Sequence, residues 1–259
     1  MASPQEVLRR LRHRIEKLEA RPPLMRAGSG ARLRTRPWAS AQAGLTHEIW
    51  TPHPRDAGAG LGFALGLARP LLSERRPVML WLQAHHEAAE TGIVYGAGLA
   101  ACGLDPQAVI VGRMKSIAEL LWCAEEALSA SGVAAVLADI DAYPKALDFT
   151  ATRRLSLRAR ATGACMLLIR HGEEHPVSAA QLRWCVTPAP SAARAFDARA
   201  AGPPRFAVTL DRAAQGLRGN WLLEWTHEGF GEIGGEDRAL KAAPGAVVPL
   251  LGDRLSRTA

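Results

Sequence analysis

The chain has 259 residues, 48% of them hydrophobic, and a formal net charge of +7. Length and composition predict one folded domain with appendages and exclude a disordered chain. No apolar run reaches the roughly 20 residues of a membrane span, and charges occupy the N-terminus where a signal peptide would be apolar. We therefore expect a cytoplasmic protein with no membrane partner.

Four widely separated cysteines lack metal-ligand spacing and each lies in an apolar segment, which favours buried free thiols over a metal site or disulfides. These are Cys102, Cys123, Cys165 and Cys185.

The positive charge is concentrated at the N-terminus. Residues 1–36 contain ten basic and three acidic residues, which account for the whole +7. Ser3, Pro4 and Glu6 predict a helix start, so 1–21 is predicted to be a basic amphipathic helix. Its narrow apolar stripe is predicted to dock on its own domain or on a partner; the stripe consists of Leu8, Leu11, Ile15 and Leu18. Its cations include Arg9, Arg10, Arg12, Arg14 and Lys17.

Residues 22–46 read as a linker with Trp38 as a possible anchor, and 47–228 as the folded core. In the core, apolar strand-like segments alternate with helical ones, which predicts βαβ units and a mostly parallel sheet flanked by helices. Strands are predicted at 47–51, 78–84, 109–112, 133–140, 164–170 and 183–187, and helices at about 58–74, 92–102, 116–131 and 148–162.

Two later segments, 206–210 and 221–225, predict a C-terminal antiparallel hairpin. From residue 229 to 259 the chain is rich in Gly, Ala and Pro, which predicts a flexible tail.

The segment from Thr51 to Leu72 has the strand, glycine-bearing loop and helix of a phosphate-binding loop. Such a loop also needs a lysine for the phosphates and a hydroxyl for Mg²⁺. No lysine occurs between Lys17 and Lys115, and no Ser or Thr between Thr51 and Ser73. The segment therefore predicts a degenerate nucleotide loop.

Two loop residues illustrate the loss of this chemistry. Asp56 would repel phosphate, and Arg55 could replace the missing cation only in part. Gly58 and Gly60 keep the glycine pattern near the helix start. A purely structural turn is favoured over nucleotide binding without hydrolysis, and ATP hydrolysis is the least favoured.

Asp139 ends the apolar strand at 133–140, where nucleotide hydrolases place an acid that holds Mg²⁺. Without the hydroxyl partner, we expect Asp139 to cap a turn or to pair with an arginine. Of two other polar segments, 83–87 is predicted to be a solvated loop and 171–175 a polar loop after a buried strand. No catalytic residue, metal site or cofactor is predicted.

Three arginines lie on the predicted helix at 148–162: Arg153, Arg154 and Arg158. Together with the N-terminal cations they are candidates for contacts with DNA phosphates or an acidic partner. A solvated helix face with local ion pairs is an equally good interpretation.

In combination, these segments resemble the inducible-mutagenesis protein A (ImuA) family over about residues 45–228. The resemblance is carried by HEIW at 47–50, VMLWLQAHHEAA, YGAGLAACGLDPQAVIVGRMKSIAELLWCAEEAL, GVAAVLADID, LDFTATRRLSLRARATGACMLLIRH, AAQLRWCVTPAPS and GNWLLEW at 219–225.

The resemblance implies a RecA-like core without nucleotide chemistry, acting as an adaptor in DNA-damage-induced (SOS) translesion synthesis. Its implied partners are a Y-family-like polymerase subunit and an error-prone replicative-type polymerase. RecA, weakly bound single-stranded DNA and a second copy through the N-terminal helix are further candidates. The alternatives are a nucleotide-binding or weakly hydrolysing ATPase and a RecA-like division inhibitor.

Overall fold

The structure, a computed structural model, describes residues 36–39, 41–85, 92–140, 144–172, 176–194, 197, 200–213 and 217–234. Three predictions lie outside these residues. They are the N-terminal helix with its stripe and cations, the linker before residue 36, and the tail beyond 234.

Within the described residues, nine strands form one sheet. In chain order they are β1 (Thr46–Thr51), β2 (Val78–Ala84), β3 (Val109–Met114), β4 (Val133–Ile140), β5 (Cys165–His171), β6 (Leu182–Ala189), β7 (Arg205–Ala213), β8 (Gly219–Thr226) and β9 (Gly229–Glu232). The spatial order is β3-β2-β4-β5-β1-β6-β7-β8-β9. Pairing is parallel from β3 to β6 and antiparallel from β6 to β9.

Four α-helices flank this sheet in the described part of the chain. They are α1 (Ala57–Ala68), α2 (Gly96–Ala101), α3 (Ile117–Ser129) and α4 (Phe149–Thr162). Helix α1 packs on one face over a core that includes Trp184, and α3 and α4 cover the other face. The predicted α/β class, with a mostly parallel sheet and a C-terminal antiparallel part, is confirmed.

Two helices are shorter than predicted, for identifiable reasons. Helix α1 ends at Ala68 and gives way to a 3₁₀ turn at Arg69–Leu71, because the ring of Pro70 cannot continue the helical hydrogen bonding. The helix predicted from residue 92 begins only at Gly96, since Gly92 has a φ of 94° and Tyr95 is extended.

The glycines of α1 are packing residues. A Cβ on Gly60 would lie 2.7 Å from Thr51 Cγ2, and a Cβ on Gly62 would lie 3.2 Å from the Phe206 ring. A Cβ on Gly66 would overlap Phe230. Helix α1 therefore lies closer to β1 and to the C-terminal strands than a larger residue would permit.

The tail predicted from residue 229 is wrong for its first residues. Residues 229–232 form β9, and Phe230 packs on Phe63, Phe206 and Trp225 with ring centroids 5.4, 5.7 and 4.9 Å away. These ring contacts hold a glycine-rich strand against the sheet although the strand itself is only partly buried. The hairpin is thus extended to a three-stranded meander.

The end of the predicted linker is also part of the core. Trp38 is almost fully buried, and the Ala41 amide donates to the Leu67 carbonyl at 2.9 Å. Trp38 therefore acts as the predicted anchor.

His47 is fully buried beneath α1. The Trp184 indole N–H donates to His47 Nδ1 at 3.1 Å, and the Gln42 amide points at Nε2 from 3.3 Å. A neutral imidazole can accept from only one of these two donors, because its other ring nitrogen carries a proton, and a protonated imidazole can accept from neither. Burial lowers the pKa of His47 from 6.5 to about 3.

The packing role of the α1 glycines predicts opposite effects of alanine at two positions. Gly66→Ala should destabilise the fold by about 1–3 kcal/mol, because the methyl group would overpack against Phe230. Gly58→Ala, with nothing within 4 Å of its Cβ, should be neutral or stabilising by about 0.5–1 kcal/mol. Urea unfolding of both variants measures this, and equal effects would contradict the close packing.

The buried His47 predicts loss of stability in acid. The unfolded chain binds a proton near pH 6.5, whereas the folded chain does so only near pH 3. Stability should therefore be complete above pH 6.5 and fall below it by up to about 1.4 kcal/mol per pH unit from this residue. His47→Gln should flatten this slope between pH 6.5 and 4, and the exposed His227→Gln should not. Identical slopes in all three proteins would refute the assignment.

Candidate functional site

The carboxyl ends of β1, β2, β4 and β5 meet at one edge of the sheet, which is where α/β proteins place binding sites. Each of these strands places a polar residue on the α1 face, following an apolar residue two positions earlier. The polar residues are Thr51, Gln83, Asp139 and His171. Because side chains alternate between the two faces of a strand, these four polar side chains lie in one row on the α1 face, here called the polar row.

Hydrogen bonds connect this polar row. Thr51 Oγ1 and His171 Nδ1 are 2.8 Å apart, and His171 Nε2 lies 3.5 Å from Asp139 Oδ1. Gln83 Nε2 donates to Asp139 Oδ2 at 3.2 Å. The row thus links the ends of four strands, with Asp139 accepting a hydrogen bond from Gln83 and lying in contact with His171.

Among the described residues Asp139 pairs with no arginine, so that part of the expectation is wrong. Its partners are Gln83 and His171, because β5 lies between β4 and β1 and brings His171 to the side of Asp139. The sequence predicted His171 to lie in a polar loop, whereas it is the last residue of β5 and is buried.

The row contains a hydroxyl, an imidazole and a carboxylate, the groups of a hydrolytic triad. Thr51, however, is fully buried, and its hydroxyl also lies 3.3 Å from the His53 carbonyl. A nucleophile must be within reach of a substrate. This geometry fits a polar link between strand ends.

The predicted nucleotide-loop residues are not gathered around one point. Arg55 and Asp56 lie in a 3₁₀ turn before α1, and Asp56 makes no side-chain capping hydrogen bond. Gly60 packs on Thr51, and Gly58 faces open space at the start of α1. Only Thr51 and Asp139 join the polar row.

A cavity of about 320 Å³ lies beside the polar row. Gln83, Asp139 and His171 contribute its polar lining, together with the indole of Trp81. Its other lining residues are mainly apolar or small: Ala57, Gly58, Leu61, Gly62, Leu65, Gly92, Ile93, Val94, Tyr95, Gly98, Leu99 and Cys102. This volume is at the small end of ligand pockets, which span about 300–1,000 Å³.

Sequence reasoning did not identify Trp81 or Tyr95 as site residues. The sequence did indicate Trp81, because it is two residues before Gln83 and the two side chains therefore lie on the same face of the predicted strand. Tyr95 was assigned to a helix, but it lies in extended chain and is 75% exposed beside the cavity.

A second feature is the outer face of α3 and α4, here called the α3/α4 face. Trp122 of α3 is 66% exposed, and Phe149 and Leu157 of α4 are also exposed. Arg154 Nε pairs with Glu125 of α3 at 2.9 Å, so the two helices lie side by side. Arg153, Arg154 and Arg158 are all exposed on α4. The face therefore combines local ion pairing with exposed apolar and basic side chains.

The cysteines agree only in part with the prediction. They are free thiols, but only Cys165 is fully buried, and the other three are partly buried. Burial raises the pKa of Cys165, and burial together with Asp211 and Asp56 raises the pKa of Cys185 to about 12. Both thiols are therefore weak nucleophiles at neutral pH.

The described residues lack two kinds of feature. No group of three or more His, Cys, Asp or Glu side chains in that part of the chain is arranged to hold a metal ion. None of its helices has the length and apolar character needed to cross a membrane.

These features define an α/β protein whose sheet edge keeps the layout of a phosphate-loop unit without its lysine and its metal-binding hydroxyl. No family model matches the chain. The chain is 30% identical over 207 residues to Protein ImuA of Caulobacter vibrioides strain NA1000 / CB15N, an alignment that covers 75% of this chain and 80% of that protein. Protein ImuA of strain ATCC 19089 / CIP 103742 / CB 15 gives the same values. The chain therefore belongs to the ImuA family, and the resemblance seen in its sequence is confirmed.

The polar row predicts that Thr51→Val will destabilise the fold by about 1–3 kcal/mol, because it leaves the buried His171 Nδ1 without its partner. Thr187→Val on β6 is the matched control and should change stability by less than about 0.5 kcal/mol. Guanidinium unfolding of both variants measures the difference. An unaffected Thr51→Val protein would show that the row does not link the strands.

Proposed function

We propose that the chain is a non-catalytic adaptor in damage-induced, error-prone translesion synthesis. In this role it binds a Y-family-like polymerase subunit within a complex that also holds an error-prone replicative-type polymerase. The observation that carries the proposal is its membership of the ImuA family. RecA remains a further candidate partner.

The sheet edge supports the non-catalytic part of this proposal. Phosphoryl transfer depends on cations and metal-bound oxygens that stabilise the phosphate charge. At the corresponding edge of this chain, α1 begins after Asp56, and no described residue lining the neighbouring cavity is Lys or Arg. The only acid in that lining, Asp139, is already bonded to Gln83.

The α3/α4 face supports the adaptor part. Trp and Arg are enriched at the centres of protein interfaces, where they supply most of the binding energy. Trp122 of α3 and Leu157, Arg153 and Arg158 of α4 are all exposed, and the arginines are complementary to an acidic surface. We assign this face to an acidic segment of the polymerase subunit. The N-terminal stripe at 8–18 is the second candidate for the same partner.

The adaptor role predicts that the full-length chain co-purifies with the polymerase subunit. Trp122→Ala combined with Leu157→Ser should weaken this binding at least tenfold, because it removes the exposed apolar centre of the face. Val177→Ser is the matched control, since Val177 is also exposed but lies on another segment.

The outcomes of this experiment separate the two parts of the proposal. Failure of the wild-type chain to bind the polymerase subunit would refute the adaptor role. Unchanged binding of the double variant would refute the α3/α4 face, and Leu11→Ser with Ile15→Ser would then test the N-terminal stripe.

The non-catalytic role predicts that ATP hydrolysis in the presence of Mg²⁺ will not exceed the rate in buffer. A phosphate-release assay over a range of protein concentrations measures this. Hydrolysis that is proportional to protein and abolished by Arg55→Ala would instead establish a nucleotide enzyme.

A further inference from the structure

We propose that the chain forms a two-fold homodimer in which β3 pairs in antiparallel fashion with β3 of a second copy. In the described part of the chain β3 is an outermost strand of the sheet, with β2 as its one hydrogen-bonded neighbour. The proposed pairing joins the two sheets into one continuous sheet across the two-fold axis. The inference goes beyond the adaptor role, because it concerns a strand that belongs neither to the α3/α4 face nor to the polar row.

Strand β3 exposes apolar side chains along its free side. Ile110 is 53% exposed and Val111 is 38% exposed, and as neighbours in a strand they lie on opposite faces of the sheet. Native proteins usually protect a free strand with charges, with proline or by keeping it very short. In β3, whose sequence is VIVGRM, none of the first four residues is charged. The strand is therefore unprotected over most of its length.

The outermost strand on the opposite side of the sheet, β9, has the usual protection. It contains four residues, two of which are glycine, and it ends at the exposed Glu232. A contact through β9 would offer little apolar surface, whereas β3 offers two exposed β-branched side chains. Of the two outermost strands in the described sheet, β3 is therefore the one suited to pairing.

The charges along β3 favour a second copy as the partner. Asp105 precedes the strand, Arg113 and Lys115 lie at its end, and all three residues are exposed. Glu119 lies beside this basic end, but its carboxylate accepts from the Lys115 amide at 2.8 Å. In an antiparallel pair the acidic start of each strand faces the basic end of the other. A parallel pair would bring like charges together, so the strand is complementary to itself only in the orientation of a two-fold interface.

The side chains of β3 favour one register. Directly opposite residues of antiparallel strands lie on the same face, so the two-fold axis must pass through a residue position. With the axis at Val111, the two Val111 side chains form a β-branched pair on the α1 face. Ile110 of each copy then lies opposite Gly112 of the other, where the side chains of Leu82 and Met114 lean over the glycine. Both exposed apolar residues of each copy are thereby buried against apolar groups.

The orientation of the axis has a consequence for the α3/α4 face. Because the axis is normal to the sheet, each face of the sheet lies on the same side in both copies. The dimer therefore presents two α3/α4 faces in the same direction, which raises the effective concentration for a second contact with one partner complex. This consequence, unlike the dimer itself, rests on the adaptor role.

Sedimentation velocity of the full-length protein over a range of concentrations tests the dimer. Because a strand pair buries a small area, we expect a dissociation constant on the order of 10 μM. Val111→Lys should weaken the dimer at least about tenfold, because two like charges would face each other at the axis. Val177→Lys, at another exposed valine, should leave the dimer unchanged. A lysine on an outermost strand is compatible with folding, and thermal unfolding of both variants verifies this.

Cysteine substitutions test the register. Val111→Cys places two thiols directly opposite each other, so mild oxidation should link the two copies through a disulfide. Arg113→Cys places its two thiols about 14 Å apart, because each lies two residues from the axis, and it should form no link. The wild-type protein, with its four cysteines, gives the background. Cross-linking at residue 113 and not at residue 111 would overturn the proposed register.

A charge reversal tests whether the partner is a second copy in this orientation. Lys115→Glu should weaken the dimer at least about fivefold, because Asp105 of the other copy would then face an acid. Adding Asp105→Lys should restore the dimer, because the pair is attractive again with its signs exchanged. Sedimentation velocity of the single and the double variant measures both steps.

The dimer is refuted by any of three results. They are a monomer at all concentrations up to about 200 μM, a dimer that Val111→Lys does not weaken, and a Lys115→Glu defect that Asp105→Lys does not restore. A dimer that is lost instead in Leu11→Ser with Ile15→Ser would place self-association on the N-terminal stripe and would also overturn the proposal. A monomer that still binds the polymerase subunit would refute the dimer and leave the adaptor role standing.

Discussion

The close approach of α1 to the sheet is the constraint on which the rest of the structure depends. At Gly60 the helix backbone nearly touches Thr51 of β1, and at Gly66 it leaves room only for the ring of Phe230. Through these contacts one helix holds both the parallel part of the sheet and the C-terminal meander. A side chain at either position would push the helix away from the strands that it covers.

The same constraint explains why the chain has the appearance of a phosphate-binding protein. Glycines serve a phosphate loop by letting backbone amides approach a ligand, and they serve helix packing by letting backbone approach a sheet. In this chain the contacts of Gly60, Gly62 and Gly66 are of the second kind. The turn before α1 places Asp56 where a phosphate would require positive charge. Helix packing therefore accounts for the glycines at these three positions.

The structure separates two surfaces that differ in chemistry. The sheet edge holds a buried polar row and a cavity that is apolar apart from Trp81, Gln83, Asp139 and His171. The α3/α4 face lies on the opposite side of the sheet and is exposed, aromatic and basic.

The sequence by itself determined the α/β class, every parallel strand, the hairpin and the absence of a lysine and of a Ser or Thr from the glycine-bearing loop. These follow from local periodicity, from cap residues and from the positions of lysine and hydroxyl groups, which need no knowledge of distant contacts. Only the tertiary structure decided that His171 lies between Thr51 and Asp139, because strand order is set by packing between segments over 30 residues apart. It also decided that Phe230 orders β9 and that Trp122 is exposed. Burial depends on what lies opposite a residue, and a single sequence does not contain that information.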